Sequence, residues 1–222
     1  ELTVVPAGRC REAGLDRSLL SSYGHDDRVC AYAELEALFS LDMPEKTAVC
    51  ILADKEEIGS VGISGMQSHY FEHFMEGLCD AQGVKLSDCF ANSFCLSADV
   101  SNAFDPNWPE TCDKRNNSQL NYGVAICKYT GSRGKGGASD ASAEAMGHVR
   151  STLDKAGVIW QIATLGKVDQ GGGGTVAAYM ANRNIVTVDA GVPVLSMHAP
   201  LELVSKLDCY ETMLACKAIY LA

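Results

Sequence analysis

The chain has 222 residues, 47% of them hydrophobic and 21% charged, with a formal net charge of -10. That length and composition suit one globular domain able to bury a sizeable core. The acidic balance disfavours nucleic acid, whose phosphates need clustered Lys and Arg, and no apolar run approaches the roughly 20 residues of a membrane span.

In chain order, the spacing predicts a helix over 28–41, with Val29, Tyr32, Leu35 and Leu38 near one face. TAVCILA (47–53) is short, β-branched and bounded by polar residues, which predicts a strand. A helix follows over 69–83, stopped by Gly83, and then strands over SFCLSA (93–98) and GVAICKY (123–129). Residues 139–157 read as a helix that opens on Ser and Asp caps and ends at Gly157. Strand VIWQIATL (158–165), helix 173–184, strands NIVTVDA (184–190) and VPVLSM (192–197), and a helix over 200–222 with Pro200 in its first turn complete the order. Strands alternating with helices predict an α/β sandwich, whose ligands gather beyond the carboxyl ends of the strands.

The 10 cysteines lack a C-x-x-C pair and zinc-finger spacing, and several sit inside apolar runs as small hydrophobes. With no basic-then-apolar secretory pattern at the N-terminus, the expectation is a cytoplasmic protein with reduced thiols.

Polar signals sit at element ends. In HDDR (25–28), one aspartate suits a helix cap, which assigns Asp27 to the cap and leaves Asp26 as a metal candidate. The doublet Glu56–Glu57 follows TAVCILA, where adjacent residues of an extended chain point oppositely and can take different tasks; a solvated strand exit is the other reading. Asp99 follows SFCLSA and His198 follows VPVLSM; each also fits a turn or a satisfied polar residue. GSRGKGGAS (131–139) fails as a Walker motif because Gly136 follows Lys135 where Ser or Thr is required. This disfavours a nucleotide-binding module. The run DQGGGGTVAAY (169–179) offers backbone N–H groups for a carboxylate or oxyanion, or is a turn needing positive φ.

YGHDDRVCAY, DKEEIGSVG, SADVSNAFDPN, GKGGASDAS, LGKVDQGGGGT and VLSMHAPLE occur in this order along essentially the whole chain. The series resembles the aspartyl aminopeptidase and aminopeptidase I family of zinc metallopeptidases, in its bacterial branch. The resemblance implies a three-layer sandwich with a mixed, mostly parallel β-sheet flanked by helices. It implies two Zn²⁺ ions per complete site, with Asp26 bridging them, Glu57 and His198 completing one, and Asp99 belonging to the other. Glu56 would be the general base that takes a proton from water. Gly172, Gly173, Gly174 and Thr175 would lie beside a peptide substrate.

Lys135, with Arg133, either attracts an acidic substrate side chain or belongs to a solvated basic loop. The family's second metal takes a histidine from an H-x-D segment upstream of the bridging aspartate, and no such segment precedes Asp26 here. An inserted dimerisation domain is likewise missing, so the chain reads as the C-terminal part of the peptidase domain. The expectations are a zinc aminopeptidase acting on acidic or neutral N-terminal residues, weak or inactive as this chain alone, and a homo-oligomer in the full-length family. A non-catalytic, single-metal or metal-free assembly fragment is the alternative.

Overall fold

The structure, a computed structural model, describes residues 2–222. Its elements in order are β1 (Arg11–Ala13), β2 (Leu19–Ser22), α1 (His25–Phe39), α2 (Tyr70–Gln82), α3 (Leu86–Ala91), β3 (Phe94–Ala98), β4 (Ser101–Asn102) and β5 (Val124–Cys127). There follow α4 (Ala143–Ala156), β6 (Trp160–Ala163), α5 (Ala177–Ala181), β7 (Val186–Gly191), β8 (Pro193–Leu195), β9 (Glu202–Ser205) and α6 (Lys206–Tyr220).

The α/β expectation holds, with the strands divided between two mixed sheets. A four-stranded sheet runs β3-β7-β5-β6, and a five-stranded sheet runs β1-β2-β9-β8-β4. In the first, β3 pairs parallel with β7 and β5 parallel with β6, while β5 and β7 are antiparallel. Period-2 alternation gives this sheet two distinct faces. Val124, Ile126, Val188 and Ala190 pack with Met146, Val149 and Leu153 of α4 and Ala215 of α6. On the opposite side Cys95 joins Phe71 and Met75 of α2, Phe90 of α3 and Met180 of α5. Helices on both faces of the sheet are thus the product of ordinary alternation. Cys30 of α1 packs with Val192, Val194 and Val204 on the second sheet.

Two expectations are corrected. The run 47–53 forms no strand: among the described residues none of its backbone N–H groups makes a backbone hydrogen bond. Val49 and Ile51 pack against the cluster around Phe71, so the apolar pattern reports burial without a neighbouring strand to pair with. The predicted helix over 200–222 begins later, at Lys206. Residues 202–205 pair with both β2 and β8, and Ser205 caps α6 by accepting the Leu207 N–H at 3.2 Å. Pairing with strands on either side and the Ser205 cap together override Pro200 as the helix start.

Elsewhere the forecast boundaries stand to within a few residues. Helix α4 opens on Ser142, whose Oγ accepts the Ala145 N–H at 3.1 Å, and closes on Gly157 at φ 70°. The helix forecast for 173–184 shortens to Ala177–Ala181. That leaves Gly172 to Thr175 as irregular chain.

Candidate metal centre

The site collects at the ends of these elements. Asp26 stands in the first turn of α1 with non-helical backbone (φ -77°, ψ 110°). Glu56 and Glu57 lie on a one-turn 3-10 helix, Glu56–Ile58, rather than on extended chain, so they are offset around a turn and not opposed across a strand. Asp99 follows β3, and His198 lies between β8 and β9 at φ 66°.

Gly191 makes room for Asp99: a Cβ on it would stand 1.7 Å from the Asp99 carbonyl oxygen. The Asp99 N–H donates to Ala190 O at 3.0 Å, extending the pairing of β3 with β7 by one residue.

His198 Nε2 is 2.8 Å from Asp26 Oδ2 and 3.3 Å from Glu57 Oε1. Donor atoms of Asp26, Glu57 and His198 all lie within 4.8 Å of one another, and so do those of Asp26, Asp27 and Asp99. Asp26 is common to both sets, the arrangement of a bridging carboxylate. Glu56 faces the same space: with Asp26, Glu57, Asp99 and His198 it lines a cavity of about 360 Å³.

Asp27, expected to cap the helix, makes no cap bond. Its Oδ1 is buried with no partner among the described residues. The doublet DD was the available signal, since one helix start needs only one cap. Asp189 was missed altogether. Nothing in NIVTVDA marks a strand-end aspartate as more than a terminus, yet Asp189 is buried and receives a hydrogen bond from Thr175 Oγ1 at 2.6 Å.

Crowding of carboxylates in a dry place raises their pKa values. Burial, then the Glu57 charge, pushes Asp26 up to about 6. Burial, then the Asp99 charge, pushes Asp27 up to about 10, and burial, then the charges of Asp26 and Glu56, pushes Asp99 up to about 8. Burial and the charges of Glu57 and Asp26 raise Glu56. Burial alone lifts Asp189 to about 7, against the Thr175 hydrogen bond.

A divalent cation reverses this logic, favouring every ionised carboxylate around it. The residues present fit zinc: one set mixes imidazole with carboxylate, and the other is all carboxylate with an unpartnered buried oxygen on Asp27.

The glycine runs pack on each other. Arg133 N donates to Gly171 O at 3.1 Å. Gly172 sits at φ 88°, where a Cβ would come within 2.0 Å of Gly131 O. Gly173, Gly174 and Thr175 line the cavity, and Gly172 does not. Lys135 does not line it. Its Nζ pairs with Asp140 at 2.6 Å and lies over the Tyr129 ring, while Asp140 also binds Lys128. No helix among the described residues is long and apolar enough to cross a membrane.

Similarity to known proteins identifies the family. A model of the Aminopeptidase I zinc metalloprotease (M18) family matches residues 1–220. The chain is 50% identical over 216 residues to a probable M18 family aminopeptidase 1 of Clostridium acetobutylicum, covering 96% of this chain and 46% of that protein. Among solved structures, an M18-family aminopeptidase from Thermotoga maritima superposes with a TM-score of 0.94 at 45% identity, covering 97% of this chain and 49% of the other. Aminopeptidase I from Clostridium acetobutylicum superposes with a TM-score of 0.93 at 47% identity, covering 98% and 47%. The chain therefore spans about half the length of the relatives it matches. It belongs to the M18 family of aminopeptidase I zinc metalloproteases.

Proposed function

We propose that this chain carries the principal part of a zinc aminopeptidase site, hydrolysing the first peptide bond of a peptide. The observation that carries the reading is the position of His198 Nε2 between Asp26 and Glu57, with Asp26 shared by a second acidic set and Glu56 beside both.

Asp26, Glu57 and His198 would hold one zinc ion, and Asp26, Asp99 and Asp27 a second. Zinc, when bound, supplies Lewis-acid polarisation of the scissile carbonyl and acidifies water. Glu56 is the base of this reading: it lies beside both ligand sets and faces the space the substrate occupies. The same acidic walls attract the ammonium group of a peptide N-terminus, which favours cleavage from that end. Val100, Leu165, Tyr179 and Met197 supply an apolar side to the cavity, which supports a neutral first residue over an acidic one. Gly173, Gly174 and Thr175 bound the substrate's path.

The second metal set contains no imidazole, and that supports a weaker second site and slow turnover by this chain alone. Assembly of the full-length protein into a homo-oligomer is part of the same reading and rests on family membership.

The test is metal analysis of the purified chain together with release of N-terminal residues from short neutral and acidic peptides. One tightly held zinc, one loosely held zinc and release favouring neutral residues are expected. Glu56→Gln should keep zinc and lose hydrolysis; unchanged turnover removes Glu56 from the base role, and a chain that binds no zinc removes the reading itself.

A further inference from the structure

Asp26 and His198 come from distant parts of the chain, and neither stands on regular backbone. Asp26 lies at a helix start, where the N–H has no intrahelical acceptor, and His198 has a left-handed φ of 66° in a loop. What joins their backbones is a single buried side chain. Glu202, only 2% exposed, accepts the Asp26 N–H on Oε2 at 3.0 Å and the His198 N–H on Oε1 at 2.8 Å. The first of these bonds spans 176 positions of sequence.

We propose that Glu202 is a positioning residue for the metal centre, a two-armed clamp fixing the backbone of Asp26 against that of His198. The inference rests on the metal-centre reading and adds a residue that never touches the metal. Glu202 opens β9, which is paired with β2 and β8, so the clamp refers both ligand backbones to one rigid strand. A carboxylate suits the task because two N–H donors arrive from separate segments and each takes its own oxygen. Glutamine has one acceptor oxygen, and its amide nitrogen would face the second N–H donor to donor. With that arm lost, the Asp26 to His198 distance of 2.8 Å is no longer imposed by the backbone.

The test uses the purified chain and zinc alone. Zinc affinity is read by competition with a chromophoric chelator, and folding by circular dichroism and urea denaturation. Glu202→Gln is expected to bind zinc about 10- to 100-fold more weakly, the range for loss of an outer partner of a metal ligand. The comparison variant is Glu211→Gln, which alters another buried carboxylate, one that accepts the Ile159 N–H at 2.9 Å and does not line the cavity. It should lose stability but keep parental zinc affinity.

Parental affinity in Glu202→Gln overturns the clamp, and so does an equal loss in Glu211→Gln, because the effect would then be general. Should Glu202→Gln not fold, native-state hydrogen exchange on the parent decides: slow exchange at the Asp26 and His198 amides is expected, and fast exchange at both overturns the proposal. A parent chain that binds no zinc overturns the metal-centre reading and the clamp with it, a result distinct from a parent that binds and a variant that is unaffected.

Discussion

The Thr175 hydroxyl and the Asp189 carboxyl meet at 2.6 Å inside the protein, tying the end of the glycine run to β7 beside Asp99. Asp189 Oδ2 has no partner among the described residues, so among them Thr175 is the one donor to this buried carboxyl group. Removing it leaves both oxygens unpaired. Thr175→Val should therefore lower stability by about 1–3 kcal/mol, the cost of a stranded buried acceptor. Thr175→Ser, which keeps the hydroxyl, should recover most of it. Urea denaturation of the two variants measures the difference, and equal midpoints would remove the bond from any account of stability.

A second expectation concerns the packing of the two glycine runs. Gly172→Ala sets a methyl group against the Gly131 carbonyl at a backbone angle that L residues rarely adopt. The change should destabilise by more than about 1 kcal/mol. It should also weaken binding of short peptides, because Gly173 and Gly174 lie on the cavity wall. Thermal denaturation and peptide titration read the two effects separately.

Lys135 should matter little. Its ion pair with Asp140 is surface-exposed, and such pairs contribute roughly 0–1 kcal/mol. Lys135→Ala should leave the preference between neutral and acidic first residues unchanged in a peptide competition assay. A selective loss for acidic peptides would restore Lys135 to substrate recognition.

Glu34 of α1 gives the pH expectation. Burial raises it from the ordinary 4.5 to about 8, so the native state holds its proton more tightly than the unfolded chain. Its contribution to stability is fully present below 4.5 and is lost as pH rises through about 8. The slope approaches about 1.4 kcal/mol per pH unit inside that window. Glu34→Gln has nothing to ionise, so it should show a shallower decline in stability between pH 5 and 8 than the parent. Urea midpoints across that range test this, and parallel curves would show that Glu34 does not titrate in the window.

Much of the fold was legible because alternation and caps are local. Val124 and Ile126, or Ser142 and Gly157, declare their environment through near neighbours in sequence. What escaped depended on distant partners. Residues 202–205 look helical until β2 and β8 stand on either side of them, and 47–53 looks like a strand although nothing pairs with it. The site divided in the same way. Asp26, Glu57, Asp99 and His198 are brought together, with Glu56 facing them, as their order in the chain suggested. Asp27 was taken for a cap because its environment is created by Asp99, far along the sequence. Asp189 and Glu202 were invisible because their significance lies in which donors reach them in space.

The run 47–53 carries one more consequence. Its amides should exchange with solvent deuterium faster than those of β7, although Val49 and Ile51 are packed inward. Glu56 and Glu57 hang from the far end of this run, secured by Ser60 N to Lys55 O at 2.7 Å and Asp54 N to Ser64 O at 3.3 Å. The Glu56 side of the cavity is thus moored by a few loop hydrogen bonds and side-chain packing, while the Asp99 side is moored by a ladder. Heating or mild denaturant should loosen the Glu56 bank first, and the two halves of the centre would come apart in that order.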